Sequence, residues 1–89
     1  MSKIRDEYER KKIKEDYEYL IKKYGIRDEI LKCDCRSDEY FRYRVFIACA
    51  LRDKGYSYKH VGEVLDRSRS VIYHYEKVNK IFQYYKKEQ

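Results

Sequence analysis

Residues 58–78 read YKHVGEVLDRSRSVIYHYEKV, and this stretch decides the fold. Val61, Gly62 and Leu65 fall at helical spacing. A polar break follows, Asp66-Arg67-Ser68, and a second amphipathic segment starts at Arg69 with Val71, Ile72, Tyr75 and Val78 as its apolar positions. Two short helices that cross steeply need apolar side chains near the crossing, so Val61, Leu65 and Ile72 should meet there. A small residue such as Gly62 lets the two helices approach closely. Ser68 closes the break, and its hydroxyl can accept a hydrogen bond from a free N–H in the first turn of the next helix. The pattern predicts a helix-turn-helix over 58–78, with the second helix offered to a DNA major groove. The plainer alternative is a helical hairpin in a small bundle.

The side chains of the second segment favour the first reading. Its presumed exposed face carries Arg67, Arg69, Ser70, Tyr73, His74 and Lys77, which are side chains that read grooves and bind phosphates. Ser68 and the free N–H groups of this helix are expected to meet a phosphate. Arg69 can contact a guanine with two hydrogen bonds. Tyr56, Lys59 and His60 are expected to hold the flanking backbone. For each basic residue the alternative role is a solvated surface charge.

Working outward, Gly55 ends the preceding helix and Ser57 caps the next. Ser37 caps a helix running to about Lys54, with Asp38 and Glu39 in its first turn, where the dipole favours acids. Its centre, VFIACAL, is apolar on all sides and should be the core. A short helix over 26–32 precedes it, with Ile26, Ile30 and Leu31 inward, and 33–36 form a loop. The first helix spans about 3–24, capped by Ser2 and stopped by Gly25, with apolar positions at Ile4, Tyr8, Ile13, Tyr17, Leu20, Ile21 and Tyr24. Before about Lys12 the stripe is sparse, so that half is expected to be exposed or frayed, or to serve as a self-association arm. Val71, Tyr75, Val78, Phe82 and Tyr85 continue the last stripe, so the final helix is expected to reach about Tyr85 and to pack back on the first two helices.

Composition bounds the class. Eighty-nine residues make one domain, 1–89, with a modest core. The absence of proline and the scarcity of glycine argue for an all-α bundle of about five helices. No run approaches the length of a membrane helix, and MSKIRDEYERKK lacks the apolar centre of a signal peptide, so a cytoplasmic location is expected. The net charge is +6, and residues 42–77 hold eight Lys/Arg against four Asp/Glu. That excess favours a polyanionic partner. Three cysteines without a signal peptide argue against a disulfide framework. Cys33-Asp34-Cys35 is too tight for the usual zinc pair, and Cys49 sits in an apolar run as core filler. No metal or cofactor is expected.

From about Leu20 to Val78 the chain resembles the C-terminal DNA-binding domain of the bacterial replication initiator DnaA, a relative of the Trp-repressor type of helix-turn-helix. LIKKYGIRDEILKCDCR matches the family's aromatic-ending helix, short helix and basic loop. RYRVFIACAL matches its helix that begins with a basic pair and turns apolar, and S-Y-K-H-V-G matches its S-L-x-x-I-G. The resemblance implies that Arg42 and Arg44 reach phosphate or minor groove. The family's G-G-R-D-H-S/T-T-V is replaced here by L-D-R-S-R-S-V-I, so the initiator's own target box is not implied, and no nucleotide-binding module is present. The expected function is therefore non-enzymatic binding of double-stranded DNA, as a transcription or replication regulator of phage or mobile-element type. The alternative is a protein-interaction module, possible also as a homodimer, using the N-terminal helix with Tyr17 and Tyr19 or the pair Tyr84 and Tyr85.

Overall fold

The computed structural model describes residues 3–33 and 37–86, with side chains from residue 5 onward. Ser2, the side chain of Ile4, residues 34–36 with Cys35, and residues 87–89 lie outside the described residues. Five helices follow in order: α1 (Lys3–Tyr24), α2 (Asp28–Lys32), α3 (Asp38–Asp53), α4 (Tyr58–Leu65) and α5 (Arg69–Phe82). The fold is all-α, with no strand among the described residues. Among those residues no helix is long and apolar enough to cross a membrane.

The helix ends are written locally. Gly25 takes a left-handed conformation (φ 67°). Its N–H bonds the Lys22 carbonyl and the Ile26 N–H bonds the Ile21 carbonyl, which satisfies two orphan carbonyls of α1 and turns Ile26 into the core. That turn uses residues 25 and 26, so α2 starts at Asp28, later than the apolar pattern predicts. Ser57 caps α4 by accepting from the His60 N–H, and Ser68 caps α5 by accepting from the Val71 N–H. Ser37 stands at the start of α3, but its side chain makes no capping bond.

α3 is the central element. Val45, Ile47, Ala48, Cys49, Ala50 and Leu51 are buried, as the apolar run VFIACAL requires. α1, α2, α4 and α5 all pack on it. Leu51, Val61, Leu65 and Ile72 are fully enclosed, and each contributes roughly 1.5–3 kcal/mol of burial. From α1, Ile13, Tyr17 and Leu20 join the same core, whereas Tyr24 stays half exposed.

Two expectations change. The first half of α1 is helical and tied to α4. Asp6 lies 2.7 Å from His60 Nε2, Glu9 lies 3.1 Å from Nδ1, and Arg10 meets Glu63 at 3.2 Å. Polar contacts anchor it where an apolar stripe is missing. The last helix stops at Phe82, because Gln83 turns left-handed (φ 55°). Asn79 then clasps the returning chain, donating to the Tyr85 carbonyl (2.9 Å) and accepting from the Tyr85 N–H (2.8 Å). α5 packs on α3 and α4 rather than on α1 and α2, and Phe82 is exposed.

Candidate nucleic-acid interface

The connection between α4 and α5 is built by backbone. Asp66 adopts the left-handed conformation (φ 58°), the Asp66 N–H bonds the Glu63 carbonyl, and the Arg67 N–H bonds the Gly62 carbonyl at 2.8 Å. This turn lays the peptide of residue 67 directly on Gly62. A Cβ at position 62 would sit 2.5 Å from the Arg67 carbonyl oxygen. Gly62 thus permits a close approach, and its partner is the turn itself rather than the body of α5.

α5 then divides cleanly. Ile72 and Tyr75 are buried, and Val71 and Val78 are half-buried. Arg69, Ser70, Tyr73, His74 and Lys77 are all exposed, and their spacing of one, three and four residues puts them on one face of the first two turns and just beyond. Ser68, exposed at the N-terminus, is occupied in part by its cap bond. Lys59 is exposed on α4, one residue beyond Tyr58, whose ring meets that of Tyr73 edge to face at 5.9 Å. The positive end of the helix dipole and these cations make the face attractive to anions.

Glu76, the sole acid of α5, is neutralised from behind. Arg52 of α3 donates to it at 3.1 Å, and the Tyr58 hydroxyl of α4 donates at 2.5 Å. The Arg52 guanidinium also lies 3.9 Å over the Tyr58 ring and donates to the Tyr56 carbonyl at 2.6 Å. The bond to Glu76 is the chief cause of a raised Tyr58 pKa. Arg52, Tyr58 and Glu76 therefore lock α3, α4 and α5 together behind the exposed face. Sequence reasoning missed all three as positioning residues. The only available signal was a lone acid amid basic residues, which asks for a partner.

Four sequence candidates are engaged inside the fold. Arg44 is buried, with Nε donating to the Leu31 carbonyl (3.2 Å) and Nη2 to the Cys33 carbonyl (2.7 Å). Arg67 is half-buried and donates to the same Cys33 carbonyl at 2.6 Å. Both guanidinia stopper the C-terminal end of α2, where the helix dipole favours cations. His60 is buried between Asp6, Glu9 and the Ser57 hydroxyl. The hydrogen bond from His60 is the chief reason the Asp6 carboxyl is held below the ordinary range, with Arg10 and Lys59 adding to it against desolvation. Tyr56 gives its hydroxyl to Asp16 of α1 (2.5 Å), and burial first, then that bond, raise its pKa. These geometries give Arg44, Tyr56, His60 and Arg67 a role in holding helices together. Arg42 is exposed, but its guanidinium lies 5.7 Å over the Tyr84 ring, beyond the C-terminal end of α5 from Arg69. It is not gathered with the α5 face.

No protein-family model, curated protein or solved structure matches the chain.

Proposed function

We propose that α4, the turn and α5 form a helix-turn-helix that binds double-stranded DNA without catalysis, with α5 in the major groove. One observation carries the reading. The exposed face of α5 holds Arg69, Ser70, Tyr73, His74 and Lys77, while its single acid is turned back and neutralised by Arg52 and Tyr58. A face with cations, hydrogen-bonding side chains and no uncompensated carboxylate suits a duplex groove. The resemblance of the sequence to the initiator's C-terminal domain points the same way, towards a regulator of transcription or replication.

Lys59, Arg69 and Lys77 as phosphate or base contacts give about two to three phosphates, so log K should fall against log salt with a slope of about −2 to −3. Arg69→Ala should weaken the preferred site by about 1–3 kcal/mol and relax specificity. Lys59→Ala should weaken all sequences alike and flatten the slope by about one. Fluorescence anisotropy on a selected and a random duplex at two salt concentrations measures both. Equal effects of both substitutions on both duplexes would show that Arg69 reads no base.

A second reading, a protein-interaction module, is favoured by Ile81 and Phe82, which are 74% and 60% exposed, with Phe82 stacked on Tyr84. Absence of duplex binding at low salt would move the function to that surface.

A further inference from the structure

The exposed face of α5 presents polar ends from Arg69, Ser70, His74 and Lys77. Tyr73 differs. It lies four residues from both Arg69 and Lys77, at the middle of the face, and half of it is open to solvent. Among residues 69–77 it contributes the one large exposed apolar surface, with Ile81 a turn further on. The ring is also held in place. The Tyr58 ring meets it in a T-shaped contact at 5.9 Å, and the Lys77 ammonium stands 4.8 Å from its centroid. Tyr58 is in turn fixed by Glu76 and by the Arg52 guanidinium. The Tyr73 hydroxyl has no hydrogen-bond partner among the described residues. An aromatic ring that is exposed yet braced loses little rotamer freedom when it docks.

Base edges in a major groove are polar apart from one group, the methyl on C5 of thymine. A C5-methylated cytosine carries the same group. We infer that Tyr73 is a specificity-determining residue that packs its ring on the 5-methyl group of a pyrimidine opposite the middle of α5. This rests on the duplex-binding reading above. In the complex Lys77 would leave the ring for a phosphate and uncover one ring face to the methyl. Arg69 and Ser70 read neighbouring positions by hydrogen bonding.

The test uses the full chain and its preferred duplex, selected from random sequences. Each thymine is replaced in turn by uracil, which removes the methyl and leaves every hydrogen-bonding atom. One replacement should lower affinity about fourfold, the worth of one buried methyl. If the base in question is cytosine, its C5-methylation should raise affinity by a similar factor. Tyr73→Phe should keep the difference, and Tyr73→Ala should abolish it while leaving the thermal midpoint near that of the parent, since the side chain is half exposed. A preferred duplex that is indifferent to every uracil replacement and to methylation overturns the inference and leaves duplex binding standing. So does a Tyr73→Ala variant that still distinguishes thymine from uracil. Failure to select any preferred duplex overturns this inference and leaves duplex binding standing, whereas absence of any duplex binding at low salt overturns both. The uracil series on the parent chain needs no variant to fold.

Discussion

Gly62→Ala offers the sharpest test of how α4 and α5 are joined. The added Cβ would lie 2.5 Å from the Arg67 carbonyl oxygen and 3.5 Å from the Ser68 carbonyl carbon. Ordinary contact begins near 3.4 Å, so the turn must retreat by about 1 Å. The obstacle is backbone and cannot swing aside as a long side chain would. The same residue is tethered to position 62 by the bond from its N–H to the Gly62 carbonyl. Overpacking of this kind costs about 3 kcal/mol at the upper end of its usual range. Alanine returns about 1 kcal/mol because it is the better helix former. The net expectation is destabilisation by about 2 kcal/mol. For a domain of this length that lowers the thermal midpoint by roughly 8–16 °C. Circular dichroism at 222 nm during heating, backed by urea titration, measures it, and Gly62→Val should cost more than Gly62→Ala. A Gly62→Ala protein as stable as the parent, or more so, would mean that helix propensity wins and that the turn does not lie on α4 as described.

Arg67→Ala should lower the unfolding free energy from urea titration by about 1–2 kcal/mol, since it removes a charged donor from a Cys33 carbonyl that Arg44 still serves; unchanged stability with weakened DNA binding would return Arg67 to the interface. Cys49 is buried and desolvation pushes its thiol up to about 12, so peptide mapping after alkylation at pH 8 should find it unmodified in the folded chain and labelled once denaturant is added. The Asp6 carboxyl is held below its ordinary value of 3.8, so the ionised form stabilises the folded chain above that value and the contribution is lost as pH falls through the lowered one. Asp6→Asn should therefore melt earlier than the parent at pH 6, and the two melting curves should converge in strong acid; a constant gap at every pH would show that the carboxylate charge is not what holds α1 to α4.

What the amino-acid sequence determines by itself is local. Ser57 and Ser68 mark helix starts because a cap bond spans only three residues, and Gly25 marks a stop because a left-handed turn needs no distant partner. The buried set Leu51, Val61, Leu65 and Ile72 follows from helical periodicity, which is likewise a short-range signal. The exposed run of Arg69, Ser70, Tyr73, His74 and Lys77 was legible for the same reason. The assignments of Arg44, Tyr56, His60 and Arg67 were not. A basic or hydroxyl-bearing side chain at the boundary of an apolar stripe can turn either to solvent or to a partner, and the partners here are distant in sequence: Leu31 for Arg44, Asp16 for Tyr56, Asp6 for His60, Cys33 for Arg67. The end of α5 was hidden in a similar way. Its stripe runs on through Phe82 to Tyr85, but Gln83 turns left-handed and Asn79 captures the tail. Only the tertiary structure decided which charges are spent inside the fold, because a charge is taken out of solvent only where a separate element brings a carbonyl or carboxylate within hydrogen-bonding distance.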